Sequence, residues 1–398
     1  MKPLRLALVT RRFWPLVGGA EIAMANLAAE FLGMGHRPRI VTAVWERDWP
    51  REIVHREVPV HRLPNPAQRG WGTLRYMMAL SRWLRENQQE LDAVYVSMLK
   101  HDAYAAIGAL RSTRIPVVLR VEGGGETGDC HWHETARFGM RIRRRCQQAD
   151  RIVAPSESLR DELIAAGFPE SRIEVIVNGV PIPPPRDGAS RSEARVALAE
   201  VNPDLAVYDL APVVLFTGRL HAGKGLHDLI RAWPTVLQSH PEARLWLIGE
   251  GPERDALYES IVDAGLRGQV LMPGAFDDVQ DLLAAADLFV LPSYQEGLSI
   301  ALLEAMAAGV PVVASDIPGN RALIRHGVEG RLVPPGNPEA LAASIVESLS
   351  ERLLARTQAA AARRRVVSEF SLEQSARHHL TLFETLCRQR AQAPSTCP

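Results

Sequence analysis

The sequence predicts an α/β protein of two Rossmann-like domains in series, each an open parallel sheet with helices on both faces. Three observations predict it. Short apolar runs alternate with amphipathic segments through the first 180 residues. A proline-rich stretch, Asn178-Gly179-Val180-Pro181-Ile182-Pro183-Pro184-Pro185, then interrupts the series as a linker. The same alternation begins again beyond it.

In the first series Leu4–Val9 reads as a strand, followed by Gly18-Gly19 in a loop. Glu21–Leu32 has the spacing of an amphipathic helix and ends near Gly33, where a helix terminus favours glycine. Strands follow at Arg39–Ala43, Ala93–Ser97, Val117–Val121 and Arg151–Ala154. Helices fill the gaps at Leu74–Glu86, Ala103–Arg111, Thr135–Ala149 and Ser156–Ala166. Residues 186–209 are polar and alanine-rich and read as an irregular connection or a short helix.

The second series has strands at Val213–Thr217, Arg244–Ile248, Val270–Met272, Leu288–Leu291, Val312–Ala314 and Gly330–Val333. Its helices are Leu226–Ser239, Glu253–Ala264, Val279–Ala285, Ile300–Ala308 and Pro338–Glu347. Helices over 351–369 and 372–390 precede a frayed tail. The division expected is 1–180, 181–370 and a final segment 371–398. Two such domains in series place a ligand crevice between them, at the carboxyl ends of the strands.

Composition bounds the function. Hydrophobic content of 46% and charged content of 23% are ordinary for a soluble globular chain. No apolar run reaches the ~18 residues of a membrane span, and no secretory signal is visible. The four cysteines lack metal-ligand spacing and suggest a reducing cytosol. Net charge is zero, but residues 1–180 hold 26 Lys+Arg against 20 Asp+Glu, and the remainder reverses that balance. A mildly basic first half suits an anionic acceptor or a membrane surface, with solvated surface charge as the plain alternative. Neither half is basic enough to indicate nucleic acid.

The chain holds 3 lysines (Lys2, Lys100 and Lys224) against 43 arginines. An ammonium is a compact point charge that a guanidinium does not replace everywhere. A lysine kept inside a glycine-rich loop is therefore informative, and Lys224 sits in Gly218-Arg219-Leu220-His221-Ala222-Gly223-Lys224-Gly225. That loop follows a strand, and Arg219 and Lys224 can together neutralise a pyrophosphate. The rival is an ordinary turn with surface cations. Lacking Ser or Thr after Gly-Lys, the loop is not a Walker A motif.

Glu296-Gly297-Leu298-Ser299 opens a helix that contains Glu304 and ends at Gly309. Ser299 is a good N-cap, and the free N–H groups of the first turn make an anion site. Gly297 has no side chain to hold a ligand off the backbone. Carboxylates on either side of that turn can accept hydroxyl hydrogen bonds flanking a bound phosphate, the layout of a sugar joined by pyrophosphate to a nucleoside.

In the first half, Gly18-Gly19-Ala20-Glu21 opens a helix after the first strand but lacks the G-x-G-x-x-G spacing, which argues against a nicotinamide cofactor. A diphosphate or sugar can approach there, and a structural turn is the rival. Glu122-Gly123-Gly124-Gly125-Glu126-Thr127-Gly128-Asp129 follows another strand. Four glycines in six positions point to a loop bordering a ligand, or to a merely flexible one. Glu122, Glu126 and Asp129 are candidates for holding acceptor hydroxyls or taking a proton. His131 and His133 lack a third metal ligand at suitable spacing, and no metal is expected. Asp102 reads as a helix cap. Arg137, Arg141, Arg143, Arg144 and Arg145 form a basic helical stretch, read as a lipid-facing surface, a grip on an acidic acceptor or a solvated face.

Together these motifs resemble the retaining glycosyltransferases of the GT-B fold, specifically glycosyltransferase family 4, over nearly the whole chain. The resemblance rests on Gly18–Glu21, Pro155-Ser156, Asn178–Val180, Gly218–Gly225, Gly249-Glu250-Gly251-Pro252, Pro292–Gly297 with the Glu296 and Glu304 pair, and Asp316–Gly319. It implies a nucleotide-diphosphate-sugar donor, UDP- or GDP-linked, on the second domain and no other cofactor. Glu304 is then expected on the ribose, Arg219 and Lys224 on the diphosphate with the amides near Leu298 and Ser299, and Glu296 on the transferred sugar. Gly218 and Gly297 line that site. The first domain is expected to take a hydroxylated glycan, lipid or small-molecule acceptor, with Gly18 and Gly19 near the diphosphate. The resemblance further implies metal-independent same-face attack, and a last helix that crosses back to the first domain. Many relatives carry a histidine after the strand equivalent to Val117–Val121; here Glu122, Gly123 and Gly124 stand there instead. A sugar-nucleotide epimerase and a non-catalytic nucleotide-sugar-binding protein are the rival readings. The expected location is cytoplasmic, with peripheral association at the inner face of an anionic membrane.

Overall fold

The structure is a computed structural model and describes residues 2–16, 18–65, 71–125, 128–208, 210–276 and 278–392. The chain divides into two compact units, Met1–Gly179 with Leu372–Pro398, and Val180–Ser371.

The first unit is built on eight strands: β1 (Arg5–Val9), β2 (Arg37–Ala43), β3 (Glu52–His55), β4 (Val58–Leu63), β5 (Ala93–Ser97), β6 (Val117–Arg120), β7 (Arg151–Ala154) and β8 (Ile173–Val175). Their order is β3-β4-β2-β1-β5-β6-β7-β8. All pairs are parallel except β3 with β4. Strand order reverses between β1 and β5, where Leu8 lies beside both Ile40 and Tyr95. Apolar helices cover both faces, so β1, β5, β6 and β7 are buried throughout except at the first residues of β1 and β7.

Three elements depart from the sequence reading. The β3–β4 hairpin was not expected, because its two-residue turn is Arg56-Glu57 with φ of 49° and 65°, a turn that favours Asn or Gly. The helix expected over Thr135–Ala149 is two, Asp129–Thr135 and Gly139–Cys146. A side chain at Gly139 would run into the His133 backbone, so the second helix begins where only glycine fits. Finally, β8 is short and half-buried and gives no apolar run.

Helix Leu372–Gln392 completes the first unit. Its Ala376, Leu380, Leu382, Phe383 and Leu386 join the core formed by β1, β5 and helix Gly19–Gly33. Phe383 packs edge-on against Phe31 and Tyr95. His379 is 4% exposed and shares a 2.9 Å hydrogen bond with the Tyr95 hydroxyl. Its Nδ1 faces the Ser375 carbonyl at 2.8 Å, which only accepts, so the proton sits on Nδ1 and Nε2 accepts from Tyr95.

The second unit holds β9 (Val213–Thr217), β10 (Arg244–Ile248), β11 (Val270–Gly274), β12 (Leu288–Leu291), β13 (Val312–Ser315) and β14 (Arg331–Val333). All pairs are parallel, in the order β11-β10-β9-β12-β13-β14. Counted within the unit this is 3-2-1-4-5-6, the doubly wound dinucleotide-fold order, with its switch point between β9 and β12. Residues 188–201 form a full helix, Gly188–Val201, started by a reciprocal Asp187–Ser190 capping box.

Candidate active site

At the switch point of the second unit, the chain leaves β9 through Gly218 and Arg219 and leaves β12 through Pro292 and Ser293. The two loops are tied together. The Tyr294 N–H donates to the Gly223 carbonyl at 2.9 Å, and Gly225 passes so close to Pro292 that a Cβ there would sit 2.1 Å from its carbonyl oxygen. Gly249 serves the same end: at φ 145° it lies under Gly218, and a Cβ would meet that carbonyl oxygen at 1.9 Å. These glycines are fixed by backbone packing rather than by a ligand.

The loops bring Lys224 and Glu296 into contact. Lys224 Nζ donates to Glu296 Oε1 at 2.6 Å, and Ser293 Oγ donates to the same oxygen at 2.6 Å. The sequence reading placed the lysine on a phosphate and the glutamate on a sugar without foreseeing that they pair. Arg219 is exposed and has no ion pair among the described residues. Ser299 Oγ accepts from the Leu302 N–H at 3.3 Å and caps helix Ile300–Ala307, within which Glu304 is 8% exposed.

Gly297 differs from the packed glycines. A Cβ there would meet nothing within 4 Å, and its φ is not in the left-handed range. The protein itself does not demand glycine at that point, whereas its neighbours are constrained. Gly319 of Asp316-Ile317-Pro318-Gly319 lies against the Glu296 and Gly297 carbonyls, so this motif holds the 296–297 backbone in place.

In the first unit, Gly18 precedes helix Gly19–Gly33 and offers no capping side chain, and the Glu21 carboxylate lies so close that a Cβ at Gly18 would sit 2.6 Å from its Oε2. Glu122 follows β6. Its Oε1 accepts from Ser97 Oγ at 2.6 Å and pairs with the Arg120 guanidinium at 3.3 Å, and Arg120 also donates to Asn178 Oδ1 at 2.7 Å. Burial pushes the Glu122 carboxyl above its ordinary range, against Arg120 and Ser97, with Asp129 and Glu21 adding to the rise.

The glycine-rich loop needs a correction. A Cβ at Gly124 would strike Leu159 and Glu162, one at Gly128 would strike Gly123 and Gly124, and Gly125 has φ 63°. Packing therefore accounts for two of its four glycines, and backbone conformation for Gly125. Gly123 has only an ordinary contact. Asp129 is 2% exposed and accepts from the Glu122 N–H at 3.1 Å while pairing with Lys100 at 3.6 Å, which makes it a brace for Glu122. Glu126 and Thr127 lie outside the described residues.

Other candidates resolve plainly. His133 is buried against the Leu99 carbonyl, and no group of three metal-binding side chains occurs among the described residues. Asp102 does not cap its helix. It is 5% exposed, accepts from Tyr76 Oη at 3.3 Å, pairs with Arg11 at 3.6 Å, and burial pushes its carboxyl up to about 6. Burial also pushes the Cys130 thiol up to about 12, which favours its neutral form. Sequence reasoning missed Ser293, Ser97 and Arg120 as partners of the site glutamates. Ser293 stood inside the quoted Pro-Ser motif, and Arg120 two residues before Glu122. In basic stretch 137–145, Arg145 stacks 3.8 Å over Tyr104 and Arg143 lies 3.9 Å from Glu134, so three of the five arginines stay exposed.

Comparison with known proteins bears on the family and the fold. The family model Glycosyltransferase Family 4 matches residues 17–182, and Glycosyl transferases group 1 matches residues 211–351. An uncharacterized glycosyltransferase of Methanocaldococcus jannaschii is 28% identical over 87% of this chain and 90% of its own length. The N-acetyl-alpha-D-glucosaminyl L-malate synthase of Bacillus anthracis is 24% identical over 94% and 96%. Among solved structures, sucrose-phosphate synthase from Thermosynechococcus elongatus superposes with a TM-score of 0.80 at 20% identity, covering 97% of this chain and 100% of that one. HepE of Anabaena, in complex with UDP and glucose, superposes with 0.76 at 23%, covering 96% and 100%.

Proposed function

The chain belongs to the GT-B glycosyltransferases, family 4 in its first half and group 1 in its second, and from that premise we propose a retaining transfer of a sugar from a UDP- or GDP-linked donor to a hydroxyl acceptor. The observation that carries this reading is the switch point of the second unit. There an exposed Arg219, the paired Lys224 and Glu296, the unobstructed Gly297 and the capped helix behind Ser299 converge.

In this reading Glu304 holds the ribose hydroxyls. Arg219, Lys224 and the amides at Leu298 and Ser299 hold the diphosphate, and Glu296 contacts the transferred sugar while steadying Lys224. The bond from the anomeric carbon to the phosphate oxygen breaks as the acceptor oxygen bonds to that carbon on the same face. The departing phosphate takes the acceptor's proton. Negative charge grows on the diphosphate during this step, and cations already in place stabilise it without reorganising. The acceptor, a glycan, lipid or small molecule, belongs to the first unit, around Gly18, Gly19, Glu122 and Gly123.

Calorimetric titration of UDP, GDP and ADP, alone and carrying sugars, tests the donor site on wild type and Glu304→Ala. Base-selective binding lost in the variant supports the reading; equal binding in both overturns the role of Glu304.

A surface of the first unit fits association with an anionic membrane. Helices Trp71–Glu86 and Gly139–Cys146 both pack on helix His101–Leu110. Exposed on or beside them are Trp71, Leu74, Met78, Phe138 and Met140, with Arg75, Arg82, Arg85, Arg137, Arg141 and Arg144. Apolar side chains among arginines suit the headgroup region. No described helix is long and apolar enough to cross a membrane. Absence of binding to anionic vesicles at low salt removes this assignment.

A further inference from the structure

The second sheet has an opposite edge. Pro212, Asp287 and Pro311 stand immediately before β9, β12 and β13, at the amino ends of the strands, and they line a cavity of about 520 Å³. Five arginines share that lining: Arg186, Arg191, Arg352, Arg356 and Arg363. The strands are parallel, so the Arg219 and Glu296 loops lie at the other end. A five-residue strand at about 3.3 Å per residue separates the two edges by roughly 16 Å.

The carboxylates in the described lining are already committed. Asp187 accepts from the Ser190 N–H at 2.8 Å as a helix cap. Asp287 is shared by Arg191 at 2.8 Å, Arg195 at 2.7 Å and the Val213 N–H at 2.9 Å. Positive charge is left over. Burial lowers the Arg186 guanidinium to about 10; Asp287 opposes this, and repulsion from Arg191, Arg195 and Arg356 adds to it.

A purely structural role explains some of these arginines. Arg186 closes the end of helix Gln280–Ala285 by donating to the Leu283 and Ala286 carbonyls at 2.9 and 2.6 Å. Arg363 donates to the Pro183 carbonyl at 2.6 Å and to that of Ala307. It does not explain Arg352 and Arg356. Both are exposed, and neither has a hydrogen bond or ion pair among the described residues. They sit one turn apart at the start of helix Arg352–Glu369, where the helix dipole and their mutual repulsion both disfavour them. An anion in the cavity reverses that cost.

We propose that this cavity is a second ligand site, separate from the donor site, for a small phosphorylated anion gripped by Arg352 and Arg356 above the fixed guanidinium of Arg186. Guanidinium forks match phosphate oxygens in pairs, and the volume suits a small metabolite.

Inorganic pyrophosphate is the probe, titrated calorimetrically into the full chain. Lys224→Ala removes a donor-site cation, and in that background one pyrophosphate site is expected to remain. Adding Arg352→Gln and Arg356→Gln is expected to weaken it at least tenfold, with unchanged melting temperature. Adding Arg111→Gln and Arg114→Gln, exposed arginines of the first unit, leaves it unchanged. Loss of all binding in Lys224→Ala alone overturns the proposal. So does equal weakening by the two arginine pairs, which reduces the effect to net charge.

Discussion

Lys224 Nζ and Glu296 Oε1 are 2.6 Å apart, and the pair joins the loops that leave β9 and β12. The glutamate is in turn held by Ser293. The ammonium is thus held by the protein's own groups, so in the proposed reaction little side-chain entropy is lost when charge develops beside it.

Replacing Lys224 or Arg219 by alanine is expected to lower kcat/KM for transfer by two to three decades, about 2.7–4 kcal/mol. Because Lys224 and Glu296 touch, the Lys224→Ala/Glu296→Ala double variant should lose less than the sum of the singles, with a coupling of about 0.5–3 kcal/mol. Steady-state kinetics on folded variants decides this. Full additivity would mean that the contact is incidental.

Gly297→Ala and Gly249→Ala are expected to separate binding from folding. The first adds a methyl into open space, so stability should stay within about 0.5 kcal/mol while the donor KM rises. The second forces a Cβ into the Gly218 carbonyl and should lower the melting temperature markedly. An unchanged donor KM in Gly297→Ala would show that the space is not used.

Arg120→Met leaves the Glu122 carboxylate buried without its cation. The expected loss is about 3–5 kcal/mol in denaturant unfolding. Arg120→Met/Glu122→Gln should recover part of it, because a neutral amide tolerates burial better than a charge. No recovery would place the damage in packing around Asn178 instead.

The first unit should loosen in acid through His379. Burial first, then nearby Arg120 and His378, depress this imidazole from 6.5 to about 3, against its hydrogen bond to Ser375. Between those values the unfolded chain binds a proton that the folded chain refuses, so stability is intact above pH 6.5 and falls as pH drops toward 3. The ceiling is about 4–5 kcal/mol at 1.36 kcal/mol per pH unit. Hydrogen exchange over Leu372–Gln392 should speed up across this window in wild type and change far less in His379→Gln.

Much of this was legible before the fold was known. The strands of both sheets announce themselves because parallel strands buried on both faces are unbroken apolar runs, as at Val213–Thr217 and Leu288–Leu291. The loops that follow β9 and β12 were legible because glycine and charge fell directly after such runs. What escaped depends on through-space contact. Nothing local in Arg56-Glu57 signals a hairpin, and nothing in Ser97 announces that it bonds Glu122. The requirement for glycine at Gly124 escaped for the same reason, since Leu159 and Glu162, far along the chain, are what crowd it.

The route of the chain has a consequence for synthesis. The first unit needs Ala376, Leu380, Phe383 and Leu386, yet the ribosome makes all of the second unit before them. At ~5–20 residues per second, the nascent first unit waits roughly 10–40 s with an apolar furrow beside Phe31 and Tyr95 uncovered. The later-encoded unit has its full sequence first. Chaperone demand should therefore concentrate on the amino-terminal half, and ease only once the last helix emerges.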